Sequence, residues 1–176
     1  MRKKINIGCG ADILDGYINL DYHDQKGVDV IWDIKKTPWP FKDNNFSEAF
    51  CSHTLEHIED IQSTMKEIWR ISKPGAKIII RVPHFSCGVY HRDITHKRPF
   101  SFFSMDYFYN ASIYYERENA NLFKITKRKL NFTRLSATWL NYIMNPLINI
   151  SPALYERFIC WVFHCSEVLY ELEVLK

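Results

Sequence analysis

The stretch from residue 4 to residue 33, KINIGCGADILDGYINLDYHDQKGVDVIWD, decides the fold. An apolar run, Ile5-Asn6-Ile7, ends in Gly8-Cys9-Gly10, and two further short apolar runs each close on an aspartate: Asp21 after Ile18-Asn19-Leu20, and Asp33 after Val30-Ile31-Trp32. A strand, a glycine turn and acids at the ends of the next strands build a nucleotide pocket at the carboxyl edge of a parallel sheet. Glycines let the backbone approach a ligand closely, and a carboxylate accepts hydrogen bonds from a ribose diol or an adenine edge. The pattern therefore predicts a site for an adenosine-containing cofactor. A nicotinamide-binding fingerprint fits less well, because the final glycine and the full crossover helix are missing. The segment between Gly10 and Ile18 is shorter than the ~10–12 residues of a normal crossover, so the first connection is expected to be a loop or a single turn.

Working outward, Thr37-Pro38-Trp39-Pro40-Phe41 forbids regular helix and predicts an extended surface segment. Phe46 to Cys51 reads as a fourth strand that delivers Ser52-His53-Thr54-Leu55-Glu56-His57 to the same edge as Gly8 and Asp33. From Asp60 to Ser72 the apolar residues Ile61, Met65, Ile68 and Trp69 share one helical face, and Lys73-Pro74-Gly75 ends the helix. Lys77 to Pro83 is a β-branched run expected of a strand buried on both faces. Phe123 to Phe132 predicts a bulged strand or a hairpin. Glu167 to Val174, where Val168, Tyr170, Leu172 and Val174 alternate with Leu169, Glu171 and Glu173, predicts a final antiparallel strand.

Composition sets the class. The 176 residues fit one domain with a substantial core, and 47% apolar with 24% charged residues lies in the globular range. A net charge of +3 is compatible with anionic substrates without demanding them. The five cysteines include no C-x-x-C pair, so neither a disulfide framework nor a zinc ribbon is indicated, and a reducing cytoplasm is expected. The basic start, Met1-Arg2-Lys3-Lys4, is followed too soon by glycine to be a secretory signal. The uncharged stretch between Arg134 and Glu156 holds three asparagines and two prolines, which argues against a membrane span.

Six ordered elements resemble a class I S-adenosylmethionine-dependent methyltransferase, and more narrowly the small bacterial type 11 methyltransferase family. They are Ile5 to Gly10, Tyr17 to Asp21, Val30 to Ile34, Trp39 to Phe46, Ser52 to His57, and Lys73-Pro74-Gly75 before a strand. The resemblance implies an α/β, Rossmann-like methyltransferase fold: a mostly parallel seven-stranded sheet with an antiparallel last strand. It implies a single methyltransferase domain over residues 1–176, with acceptor-side insertions at approximately 84–110 and 135–165. It implies S-adenosyl-L-methionine as cofactor, held by Asn6, Gly8, Cys9, Gly10, Asp21, Tyr22, Asp33, Ile34, Ser52 and His53. Within that set the Gly8 and Gly10 loop would face the methionine part, Asp21 the ribose, Asp33 with Ile34 the adenine, and His53 the floor near the methyl group. Asn6 stands where the family usually has an acid, and Asp12 where it has a third glycine. The helices customary before the first motif are not found, and with them a lid.

Methyl transfer from a sulfonium is an in-line displacement, so positioning dominates and a base is needed only for a hydroxyl acceptor. Base candidates lie after the fifth strand: His84 first, then His91, Asp93 and His96, with Lys97 and Arg98 available to grip an anionic acceptor. His84, Cys87, His91 and His96 match no standard zinc spacing, so no metal is expected. The basic group Lys124, Lys127, Arg128, Lys129 and Arg134 reads as a half-exposed strand face rather than a nucleic-acid surface. The aromatic tail from Trp139 to Phe163 is expected to pack into the core and the acceptor pocket, with peripheral membrane contact as the lesser reading. The functional expectation is a methyltransferase acting at oxygen or nitrogen of a small-molecule or sugar acceptor, with polysaccharide biosynthesis implied by the resemblance alone. The alternative is a non-catalytic S-adenosylmethionine-binding partner or regulatory protein. A homodimer is compatible with either.

Overall fold

The computed structural model describes residues 3–109, 121–134 and 137–176. Residue 110 and residues 135–136 of the two expected insertions fall outside them. Seven strands form one sheet: β1 (Lys3–Ile7), β2 (Ile18–Asp21), β3 (Val30–Ile31), β4 (Phe46–Ser52), β5 (Ser72–Pro83), β6 (Phe123–Asn131) and β7 (Glu167–Val174). Their order is β3-β2-β1-β4-β5-β7-β6, with β7 antiparallel to both of its neighbours and the other pairs parallel. This is the expected mostly parallel α/β sheet. The order reverses between β1 and β4, which opens a crevice beyond their carboxyl ends.

The crossover from β1 to β2 contains no helix, as its length required. Buried Asn6 holds this loop in place: its Nδ2 donates to the Asp12 carbonyl (2.8 Å) and to Asn19 Oδ1 (3.0 Å), while Leu14 N–H donates to the same Asn19 oxygen (3.0 Å). A carboxylate at position 6 has no donor for either contact. The asparagine therefore suits a chain that spans two adjacent strands without a helix.

Helix α1 (Ile61–Ile71) starts at Asp60, whose Oδ1 accepts from Ser63 N–H (3.0 Å). It buries Met65, Ile68 and Ile71 completely, with Ile61 and Trp69 half-buried at the margin. Arg70 at its far end donates to Glu67, Asp43 and the carbonyls of Trp39 and Phe41, tying the proline-rich segment down over the buried Trp39 ring. Strand β6 carries a register irregularity between Ile125 and Lys127, the bulge its imperfect alternation predicts.

Beyond β5 come the short helices α2 (Gly88–Arg92) and α3 (Asp106–Tyr109). After β6 come α4 (Asn141–Ile150) and α5 (Pro152–Leu154), the latter running on into a π-turn, Tyr155–Ile159. Here the structure corrects the sequence reading. Tyr155, Ile148 and Cys160 are buried, but Trp139, Tyr142, Phe158, Trp161 and Phe163 are exposed, so most of the aromatic tail is surface rather than core.

Candidate active site

The glycine turn is shaped by backbone needs. Gly8 (φ 64°) and Gly10 (φ 50°) both adopt the left-handed region. A Cβ on Gly8 would collide with the Thr54 side chain, whose hydroxyl donates to the Gly8 carbonyl (3.1 Å). Gly10 has open space before it, so the turn is closed on the protein side and clear on the cleft side. Asp21, at the end of β2, clamps the turn: its Oδ2 accepts from Gly10 N–H (2.7 Å) and its Oδ1 from His23 N–H (2.9 Å). Gln25, which no sequence signal marks, donates to the Gly10 carbonyl.

A cleft of about 610 Å³ lies against this turn, lined by Gly8, Gly10, Asp21, Tyr22, Asp33, Ile34 and His53 of the expected cofactor set, together with His23, Trp32, Lys35, Thr54, His57 and Ile58. That volume suits a nucleoside-sized ligand. Asn6, Cys9 and Ser52 do not line it. Asn6 turns inward to its loop partners, and Ser52 accepts from Thr54 through its carbonyl. Cys9 is buried, and burial together with Asp21 pushes its thiol up to about 11, so it stays a neutral thiol. The clear space before Gly10 is where a ligand backbone can approach, and Ile34, Ile58 and Trp32 supply apolar walls for a flat ring. The residues present therefore fit an adenosine cofactor.

Beside the turn, His53 sits in a left-handed conformation (φ 53°) at the end of β4. Its Nε2 lies 3.1 Å from Glu167 Oε2 and its Nδ1 lies 3.3 Å from Glu56 Oε1. Burial alone would lower its pKa, but the bonds to the two carboxylates outweigh burial and hold it above the usual imidazole range; the Arg134 guanidinium against the same ring opposes them. Glu167, fully buried at the first residue of β7, also accepts from Arg81 (3.0 Å) and Asn131 (2.8 Å). Burial would raise its pKa, and the His53, Arg81 and Asn131 contacts override that and bring it to about 2. Sequence reasoning missed Glu167 as a site residue, since its partner His53 is 114 positions away.

The four expected base candidates separate in space. His84 is fully buried, with Nδ1 2.8 Å from Ser86 Oγ and Nε2 3.1 Å from Glu156 Oε1, and it does not border the cleft. A base must reach the proton it takes, so this ring works as a pin between β5 and the tail. His91 is exposed beside the Phe85 carbonyl. Asp93 is exposed, and hydrogen bonds from Thr95 hold its carboxyl below the usual range. His96 packs behind the cleft wall, its ring 4.7 Å from that of the cleft residue His57, which Thr95 Oγ1 holds at Nδ1 (2.9 Å). The histidines and cysteine weighed for a metal do not meet. Among the described residues a different trio does, with Glu56, His57 and His96 placing ligand atoms within 4.8 Å of one another.

Residues 9–80 match a methyltransferase-domain family. The chain is 42% identical over 41 residues to a sterol 4-C-methyltransferase of Caenorhabditis elegans, covering 23% of this chain and 12% of that protein. It is 34% identical over 44 residues to a demethylmenaquinone methyltransferase of Streptomyces avermitilis, covering 25% of this chain and 19% of that protein. The chain thus matches well under a quarter of the length of either curated relative. A solved methyltransferase structure from Bacillus halodurans superposes with a TM-score of 0.61 at 15% identity, over 99% of this chain and 93% of that one, which shows a shared fold. The matched part, residues 9–80, carries Gly10, Asp21, Asp33 and His53 and is similar to a methyltransferase domain, and the chain as a whole shares the fold of the solved methyltransferase structure.

Proposed function

We propose that this protein is a single-domain cytoplasmic methyltransferase that passes a methyl group to an oxygen or nitrogen of a small-molecule or sugar acceptor, in polysaccharide biosynthesis. The observation that carries the reading is the Gly8-Cys9-Gly10 turn held against the cleft by Asp21. The bound cofactor supplies an electrophilic methyl group. The chain's own residues then bind and orient. Each Asp21 oxygen accepts one backbone N–H and keeps a lone pair for the ribose diol. Asp33 and Ile34 would hold the adenine, and the open side of Gly10 would admit the methionine part.

The acceptor side is then the β5 and β7 side of the cleft, next to residues 84–109 and 137–165. For a hydroxyl acceptor we assign proton removal to His57. It borders the cleft and Thr95 fixes its ring through Nδ1, whereas His53 is already clamped between two carboxylates. His53 orders the floor of the cleft instead.

Calorimetric titration of S-adenosylmethionine into the wild type and into Asp21→Ala tests the reading. The expected outcome is binding by the wild type and a loss of about tenfold or more in the variant, the size of a charge-assisted hydrogen bond. Circular dichroism melts of both proteins show whether the variant still folds. No binding by the wild type overturns the reading. A screen of sugars, amines and phenols for release of S-adenosylhomocysteine then separates an enzyme from a binding protein.

A further inference from the structure

Helix α4 turns a mostly polar face inward, with Ile148 buried beside its asparagines. Asn141, Asn145 and Asn149 recur every fourth residue and so share one face, and that face is turned toward the molecule. Asn149 Oδ1 accepts from Leu130 N–H (2.9 Å) and its Nδ2 donates to the Leu130 carbonyl (2.9 Å). Asn145 Oδ1 accepts from Phe132 N–H (2.8 Å), and Asn141 exchanges both bonds with the Thr133 backbone (3.0 and 2.8 Å). Asn149 thus takes the place of a neighbouring strand at Leu130 of β6, the edge strand of the sheet, and Asn145 and Asn141 do the same for Phe132 and Thr133 just past its end. The geometry leaves the helix no choice about its other face. Tyr142 (86% exposed) and Ile150 (76%) point to solvent, and α5 with its π-turn continues the surface through Phe158 (65%) and Trp161 (62%). A contiguous apolar surface of this kind marks an interaction site.

Charge identifies the occupant. From Asn119 to Tyr155 the sequence contains no aspartate or glutamate but does contain Lys124, Lys127, Arg128, Lys129 and Arg134. The next acid, Glu156, is turned inward onto His84 and the Phe102 N–H. A hollow of about 710 Å³ between β6 and α4 sets Lys127, Arg128 and Lys129 directly beside Tyr142 and the asparagines. Lys127 and Arg128 are paired with Glu171 and Asp106, so their charge is largely offset within the molecule. Lys129 is the cation of this rim that has no acidic partner among the described residues, and a phosphate would be a new partner for it. A second copy of the chain would bring the same cations face to face. An anionic lipid surface offers both chemistries at once, acyl chains for the exposed side chains and phosphates for the basic rim, and Trp and Tyr suit the boundary between them. No described helix is long and apolar enough to cross a membrane, so the contact lies in the interface plane.

We infer that residues 138–163 form a docking surface for an anionic lipid bilayer. The surface adjoins the acceptor side, since the Trp161 ring lies 5.4 Å from that of Phe85, next to His84 at the end of β5. Docking would therefore hold the carboxyl edge of the sheet against the bilayer. On the proposed methyl transfer, which this last step alone rests on, the acceptor is a molecule held at the membrane.

Co-sedimentation with vesicles of equimolar phosphatidylglycerol and phosphatidylcholine tests the docking without any cofactor. The wild type should pellet with these vesicles, stay in solution with pure phosphatidylcholine, and be released by high salt. Tyr142→Ser/Ile150→Ser/Phe158→Ser should lose vesicle binding while keeping the wild-type affinity for S-adenosylmethionine. Lys129→Ala should weaken vesicle binding about fivefold, the effect of one cation near an anionic surface. A wild type that remains in the supernatant, or a triple variant that binds as well as wild type, overturns the inference. So does a dimer in sedimentation velocity that the triple substitution dissolves, since a second copy would then cover the surface. If vesicles bind but S-adenosylmethionine does not, the docking stands and the methyl-transfer reading fails.

Discussion

Helices α1 and α4 are nearly the same length and face opposite ways. Helix α1 turns Met65, Ile68 and Ile71 into the core and its polar residues to water, the arrangement that burial of apolar surface favours by about 25 cal/mol per Å². Helix α4 turns its asparagines and Ile148 in and Tyr142, Ile143, Leu147 and Ile150 out. The difference lies in what each helix packs against. The sheet face beneath α1 is apolar, whereas α4 lies along the end of the sheet, where unpaired N–H and C=O groups are the larger expense if left dry. A helix adopts the face its neighbour requires, and its own period does not say which one that is.

The largest effect should come from the conventional helix. Ile68→Ala removes a fully buried side chain and should lower unfolding free energy by about 2–5 kcal/mol in urea denaturation. On α4 the sensitive residue is polar: Asn149→Ala takes partners from both the N–H and the C=O of Leu130 and should cost about 1–3 kcal/mol. If Asn149→Ala is neutral while Ile68→Ala is not, the amides do not hold α4, and the contrast between the two helices fails.

How much of this was legible in sequence follows the same division. The glycine turn, Asp21 and the α1 stripe could be read because each rests on local chemistry: a backbone conformation open to glycine, a strand-end acid, a 3.6-residue period. The alternation in Glu167 to Val174 likewise placed β7 and its direction, and the length between Gly10 and Ile18 foretold a crossover without a helix. The asparagines of α4 were also periodic, at positions 141, 145 and 149, and that spacing was the available signal for a polar face turned inward. It was not decisive, because nothing local says that a sheet edge waits for them. His53 and Glu167 meet from 114 positions apart, and the displacement of His84 from the cleft depends on Glu156 in the tail. Contacts of that range are made by the fold, and residue type alone does not announce them.

That long-range pair gives the next prediction, at the edge where the two halves of the chain join. Glu167 binds its proton more weakly when folded, at about 2 against 4.5, so it contributes stability above about pH 4.5 that is lost as pH falls toward 2. His53 is displaced upward. Its contribution is complete below the ordinary imidazole range, ~6.5, and fades as pH rises through the raised value. Melting temperature against pH should therefore fall on the acid side in the wild type, and Glu167→Gln should flatten that fall. His53→Gln should remove the decline on the alkaline side. If Glu167→Gln keeps the full acid transition, other carboxylates drive it and the clamp is not a stabilising device.

The smallest expected effect is the most discriminating for the comparison. Leu147 is half exposed on the outer face of α4, in a helix whose inner face is held by hydrogen bonds, so Leu147→Ser removes apolar surface that is mostly in contact with water already. Its stability in urea should stay within about 0.5 kcal/mol of wild type, as for surface substitutions away from special features. The same change on the buried side of α1 would open a cavity and strand a hydroxyl. A loss of 2 kcal/mol or more at Leu147 would mean that this leucine is packed in the free protein, and α4 would then be an ordinary amphipathic helix with a second apolar contact. A neutral result would leave the outer leucine without a role in folding, which is the behaviour of a side chain placed to meet something outside the molecule.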